Sequence, residues 1–353
     1  MLEQMVEPND RTDDDVLLIV NYSWATGTPR LRTRSLRARS HLVEAEGFTI
    51  NYRVAPDARR HCPGRVPFRA GQGDYVDCFN RPQEQGRSCV NCAVAEATLA
   101  GSLHHAHTRD PAELDTDVEA HLLQPNNLYL AAFRDGSIKV GTSSAQRTEK
   151  RWLEQGAWLA AVVATASDGI VVRRLEDLVT GGLGIGQSVA ARRKLSGMSN
   201  PVDDEVLAER LKQSAGDVHR LVHDIALPGV DKAEEFWTNP LAGSPLVEGV
   251  KSYPAGIDRD SHHFTVKAMV GRLAIITRGG PDNTGPDGNG PDNTGPDGNG
   301  PHSTEPDGNG PHSTEPDGNG PDRFVIDIGA LIGLELQRGE FQPVELAIQD
   351  TLF

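Results

Sequence analysis

The chain has 353 residues, 37% of them hydrophobic, with a formal net charge of -15 and a pI near 5.2. That content can fill at least one core, and the summed negative field excludes non-specific coating of nucleic acid or anionic membrane, so any such partner must be met locally. No apolar run approaches the roughly 20 residues of a membrane helix, and the start, "MLEQMVEPNDRTDDDVLLIVNY", sets acids ahead of a short apolar run, the reverse of a secretory signal; a soluble cytoplasmic protein with no membrane partner is expected.

Residues 1–55 read as a β-rich, basic segment. Between 30 and 69 ten arginines face three acids, Glu44, Glu46 and Asp57. Arg30, Arg32 and Arg34 alternate with Leu31 and Thr33, so on a strand they share one face. Such a face is ordinarily solvated; beside a metal knuckle it is a candidate phosphate track.

Residues 56–125 hold all four cysteines, spaced C-x15-C-x10-C-x2-C at Cys62, Cys78, Cys89 and Cys92, with His104, His105 and His107 following. In a reducing cytosol, clustered thiols are better explained by metal than by disulfides. The expectation is one structural, tetrahedral Zn2+ on Cys78, Cys89 and Cys92, its fourth ligand being Cys62 or a histidine such as His104 or His107. Four protein ligands leave no open position for water, so this metal orders a loop rather than catalysing. The plainer alternative is buried thiols on one face of a helix "CVNCAVAEATLAG".

From 126 to 230 a compact α/β unit is predicted. "NLYLAAF" and "SIKVGT" read as strands joined by a turn at Arg134-Asp135-Gly136. A helix capped by Ser143 or Ser144 and stopped by Gly156 should follow, then a strand "AWLAAVVAT". Asp168 can cap a second helix with Val171, Leu175 and Leu178 on one face, ending at Gly181. "GGLGIGQS" fits no phosphate-loop spacing and reads as helix terminator and linker. A packing helix capped by Asp203 or Asp204 comes next, with a weak point at Gly216 and a stop at Pro228.

Residues 231–353 read as a β-subdomain. "HFTVKAMVGRLAIITR" and "DRFVIDIGALIGLELQRG" are strand-like and flank two copies each of "PDNTGPDGNG" and "PHSTEPDGNG", at 281–320. These decapeptides carry no hydrophobic side chain, so they are expected to form a disordered loop between two strands.

Two resemblances are carried by these residues. "LYLAAF…IKVGT…RTEKRW…RRLE" resembles the GIY-YIG nuclease superfamily, and Tyr129-Leu-Ala, Lys139-Val-Gly-Thr142 and Arg151-Trp-Leu-Glu-Gln-Gly-Ala157 resemble a closer family, domain of unknown function 2797. The "GDYVDCF" and "VGRLAIITR" stretches extend that second likeness from about residue 50 to the C-terminus, less the repeats. The first resemblance implies a GIY-YIG-like β-β-α-β-α unit and a metal-dependent phosphodiesterase, with Tyr129 as base, Arg151 or Arg147 on phosphate, and Glu176 holding Mg2+ or Mn2+. Hydrolysis of a phosphodiester needs such a base, cation and positive charge together. Lys139 stands where the second tyrosine belongs, and a lysine of ordinary pKa binds phosphate better than it abstracts a proton.

The expected fold class is therefore α+β, a zinc-knuckle region followed by the GIY-YIG-like unit and a β-subdomain interrupted by the repeats. The expected function is local binding of nucleic acid, RNA or DNA, at a nuclease-like phosphate site. The alternative is a non-catalytic zinc-stabilised adaptor.

Overall fold

The computed structural model describes residues 15–67, 75–84, 86–104, 106–108, 116–279 and 322–346; the decapeptide repeats lie outside them. In chain order come strands β1 (Val16–Ser23), β2 (Arg30–Arg34), β3 (His41–Glu44) and β4 (Thr49–Val54), then helices α1 (Val90–His104) and α2 (Thr116–Leu122). Next are β5 (Asn126–Ala132), β6 (Ile138–Ser144), α3 (Thr148–Gln155), β7 (Leu159–Ala166), α4 (Gly169–Leu183), α5 (Ala191–Ser199), α6 (Asp204–Ile225) and β8 (Val230–Thr238). The last strands are β9 (Lys251–Ser252), β10 (Asp260–Val270), β11 (Leu273–Arg278), β12 (Arg323–Asp327) and β13 (Leu336–Arg338).

Local chemistry explains most of the boundaries. Gly136 takes φ +82 and its amide closes on the Phe133 carbonyl at 2.8 Å, which turns β5 into β6. Asp168 accepts from the Ile170 and Val171 amides at 3.0 and 2.8 Å, and Asp203 does the same for Glu205 and Val206, so each caps a helix. Three expectations shift. Neither Ser143 nor Ser144 caps α3, because a 3-10 turn at Ala145–Arg147 intervenes. Helix α4 runs past Gly181 to a left-handed Gly184, and it buries Val172, Leu175 and Val179, leaving Leu178 exposed. Helix α6 passes through Gly216 unbroken, because Leu211, Ala215 and Val218 pin it on both sides, and ends at left-handed Ala226.

The strands sort into two sheets, in the orders β3-β2-β1-β13-β4-β10-β11-β12-β9 and β6-β5-β7-β8. Neighbours are antiparallel except β12 and β9. The larger sheet interleaves both ends of the chain: β13 lies between β1 and β4, and β4 pairs with β10 from Thr49↔Thr265 to Val54↔Asp260. Strands β1–β4 and β9–β13 therefore share one sheet, and β8 belongs to the smaller one. β11 and β12, which flank the repeats, pair directly from Leu273↔Asp327 to Thr277↔Arg323.

β5 is buried on both faces. Leu128, Leu130 and Ala132 join α4, α6 and Val270, Leu273 and Ile275 of the larger sheet in one core, while Tyr129, Ala131 and Phe133 point the other way toward Trp152. The sheets also meet backbone to backbone. Gly156, the left-handed stop of α3 (φ +69), faces Gly271 (φ +61) at the β10–β11 turn so closely that a Cβ on Gly271 would lie 2.7 Å from the Gly156 nitrogen. Trp24 ties β1 to the same point, its indole donating to the Gly271 carbonyl at 3.1 Å.

Candidate metal centre and phosphate site

The cysteines converge from three segments. Cys62 and Cys78 sit in loops after β4, and Cys89 and Cys92 straddle the first turn of α1. All four sulfurs lie within 4.8 Å of one another, and those of Cys78 and Cys89 are 3.7 Å apart; Zn–S bonds of about 2.3 Å at tetrahedral angles need roughly 3.8 Å. The Cys89 amide donates to the Cys62 sulfur at 3.2 Å, and the Cys62 amide to the Asn80 carbonyl at 3.0 Å, so the chain around the cluster is fixed. The Cys92 amide, at the helix start, lowers the Cys89 thiol to about 6, while burial raises Cys62 and Cys92. Four sulfurs this close ionise together only around a cation. The cluster can hold a metal such as zinc, with Cys62 standing beside the other three sulfurs as the fourth candidate ligand. His107 is elsewhere, its Nε2 2.9 Å from Asp177 on α4; the His104 side chain lies outside the described residues. The helix expected for "CVNCAVAEATLAG" does form, with two of its cysteines turned to the cluster rather than into an ordinary core.

The alternating arginines do not form an open track. Arg30 pairs with Glu44 at 2.5 Å, Arg32 lies 4.4 Å over the Tyr75 ring, and Arg34 is buried, donating to the carbonyls of Ser35, Leu36 and Cys78. The cysteine loop covers the face that alternation alone leaves to solvent.

The hairpin residues do come together. Tyr129 pairs with Gly141 across β5 and β6, and its ring lies over that glycine, where a Cβ would be 2.6 Å away. This is what "KVG" provides. Gln155 donates to the Tyr129 hydroxyl at 3.0 Å, Trp152 packs edge-on to its ring, and the Lys139 ammonium is 6.0 Å from the ring centre. Tyr129, Glu176 and Lys139 are only 1%, 4% and 9% exposed. Burial raises the Tyr129 hydroxyl, the wrong direction for a base, with Arg151 opposing. Glu176 is held by Arg173 at 2.6 Å, and among the described residues the cysteines are the one cluster of three or more metal-ligating side chains. Arg151 on α3 and Arg147 in the turn before it are exposed, and with Lys150 they share a single acid, Glu154, at 3.7 to 3.8 Å.

Arg151 opens onto a cavity of about 470 Å³ between the two sheets, beside the glycine joint. Lys194 of α5, Arg272 of the β10–β11 turn and Tyr22 of β1 also line it. Sequence reading missed these three, because no local pattern joins residues 22, 151, 194 and 272. "GGLGIGQS" does more than link: the Gly186 carbonyl accepts from Val140 and that of Gln187 from Lys139, closing the β6 edge.

Burial lowers both Lys139 and Lys194 to about 8, with Arg151 adding to the first, and Lys139, Arg272 and Arg151 to the second. Unfolded lysine titrates near 10.4, so the folded chain binds fewer protons between those values. The burial penalty is fully present below about pH 8 and is relieved as pH rises toward 10.4. The stability of the wild type relative to Lys194→Met is therefore expected to rise with pH through that window; denaturant melts of both proteins at several pH values check it, and a constant difference refutes it.

Residues 66–265, more than half of the chain, match the family described as Protein of unknown function (DUF2797). The chain belongs to that family. The DUF2797 match takes in Cys78, Cys89, Cys92 and the whole β5–α6 unit, and leaves out β1–β4, Cys62 and the β10–β11 turn. No curated protein and no solved structure matches the chain.

Proposed function

We propose that this protein is a zinc-stabilised, cytoplasmic nucleic-acid-binding protein that holds phosphates at the mouth of the cavity between α3, α5 and the β10–β11 turn. The observation that carries this reading is the meeting of Arg151, Lys194 and Arg272 at one cavity, with Arg147 and Lys150 alongside; Glu154 is shared by Arg147, Lys150 and Arg151, Arg272 pairs with Asp327 at 2.5 Å, and Lys194 donates to the Gln155 carbonyl at 2.7 Å, which leaves five cations to two acids. In a chain of net charge -15, such a local excess suits phosphate held at a defined point rather than along a surface.

The GIY-YIG resemblance supports the same place, since the β5-β6-α3-β7-α4 order and the gathering of Tyr129, Lys139, Arg151 and Glu176 are what it implies. Binding is favoured over cleavage because the tyrosine is buried and raised and the glutamate is occupied by Arg173; Lys139, which burial lowers to about 8 rather than leaving it an ordinary lysine, does not decide between them. Mg2+ or Mn2+ at Glu176 would first have to displace that arginine.

The test mixes zinc-loaded protein with structured RNA, single-stranded DNA and duplex DNA, with Mg2+ or Mn2+ present, and follows retention and strand length. Retention that weakens with salt is expected, and Arg151→Gln with Lys194→Gln should reduce the salt slope by about 2. Absence of retention at low salt overturns the reading, leaving the adaptor alternative, which the neutralised Arg30–Arg34 strand favours. Cleavage that vanishes in Glu176→Gln would make the protein a phosphodiesterase instead.

A further inference from the structure

A second cavity, about 530 Å³, opens beside the cysteine cluster, with Arg37, Arg59, Arg60, Arg81 and Phe79 in its wall. Its one acid, Glu335, is engaged by His61 at 2.7 Å and by the Arg59 amide at 3.2 Å. Arg60 is also committed, donating to the carbonyls of Ile332 and Ala330, so it is part of the frame. Arg59 and Arg81 are exposed.

Phe79 is the unusual element. It is 52% exposed, yet it is held in place: the Arg34 guanidinium stacks 4.6 Å behind the ring, and that guanidinium is fastened to the carbonyl of Cys78. One ring face is thus backed by a cation, and the half-exposed residue lines the same cavity as Arg59 and Arg81. An aromatic platform with guanidinium groups at its rim is the chemistry that takes an unstacked base and its neighbouring phosphates. Duplex bases are stacked and cannot reach it.

We propose that this cavity binds single-stranded nucleic acid, one base lying on Phe79 and the flanking phosphates on Arg59 and Arg81. Cys78 precedes Phe79 and Cys62 follows His61, so the metal cluster fixes the distance between the two walls. The proposal rests on the nucleic-acid reading above and adds the strand form and a separate contact point.

Full-length, zinc-loaded protein is titrated with a fluorescent single strand of about 12 nucleotides and with the duplex of the same sequence, at about 50 mM salt. The single strand should bind more tightly, Phe79→Ala should weaken it by about tenfold or more, Phe79→Trp should preserve it, and Arg59→Gln with Arg81→Gln should flatten its salt dependence. Zinc content of each variant reports whether the loop is intact, and Phe79→Leu, which keeps the apolar bulk but not the aromatic face, should weaken binding where Phe79→Ala loses metal. Unchanged single-strand affinity in zinc-replete Phe79→Leu, or equal binding of duplex, overturns this inference and leaves the central cavity as the binding site. Failure of wild type to bind any strand overturns both readings.

Discussion

If the four cysteines hold zinc as proposed, replacing Cys62 by serine, or stripping metal with a chelator, is expected to abolish metal binding and loosen the segments that carry Cys62 and Cys78. Cys62 is wholly buried, its sulfur receives the Cys89 amide, and its own amide is tied to Asn80. Few apolar side chains accompany the cysteines in their cluster, so a bound metal would supply what a core would. Structural zinc contributes an apparent 10–16 kcal/mol in small zinc modules, roughly, at pH 7, far more than a typical point substitution removes. Metal analysis should fall from one zinc per chain to none, and the thermal transition should drop or split. Because Arg34 anchors on the Cys78 carbonyl, β2 should loosen along with the loops. Retention of one zinc per chain by Cys62→Ser would mean that a histidine completes the site.

The second large effect is expected at the glycine joint. Gly271→Ala is destabilising on two counts. The residue sits at φ +61, a conformation costing a side chain about 1–3 kcal/mol, and its Cβ would press on the Gly156 nitrogen at 2.7 Å, backbone against backbone with no side chain free to yield. Gly243→Ala serves as control, since Gly243 has a similar φ of +74 and nothing within 4 Å of its Cβ. Denaturant melts should show the Gly271 variant losing clearly more stability than the control, and the nucleic-acid retention proposed above should fall in step, because Arg151 and Arg272 line the cavity beside this joint. Equal losses would mean that the contact relaxes at no cost.

What was legible in the sequence was local. Asp135-Gly136, Asp168 and Asp203 announce their turn and caps through chemistry that acts within a few residues, and the spacing of cysteines announces a shared metal. The α4 face was misjudged by one position because Val171 and Val172 are equally apolar, and only packing against β5 and β6 chooses between them. The arginines of β2 were misread because alternation says which side chains share a face, but not that a loop will lie over it. Lys194 and Arg272 were beyond reach for a related reason: each is an unremarkable cation in its own segment, and only the pairing of two sheets makes them neighbours.

That pairing also bears on how the chain is made. β1 and β4 are both complete by Val54, yet β13, the strand that separates them, ends only at Arg338. Until then both present unpaired edges, the kind of surface that recruits other chains. A ribosome adding roughly 5–20 residues per second leaves these edges open for tens of seconds, during which the smaller β5–β8 sheet, whose pairings are all closer in sequence, is free to form first.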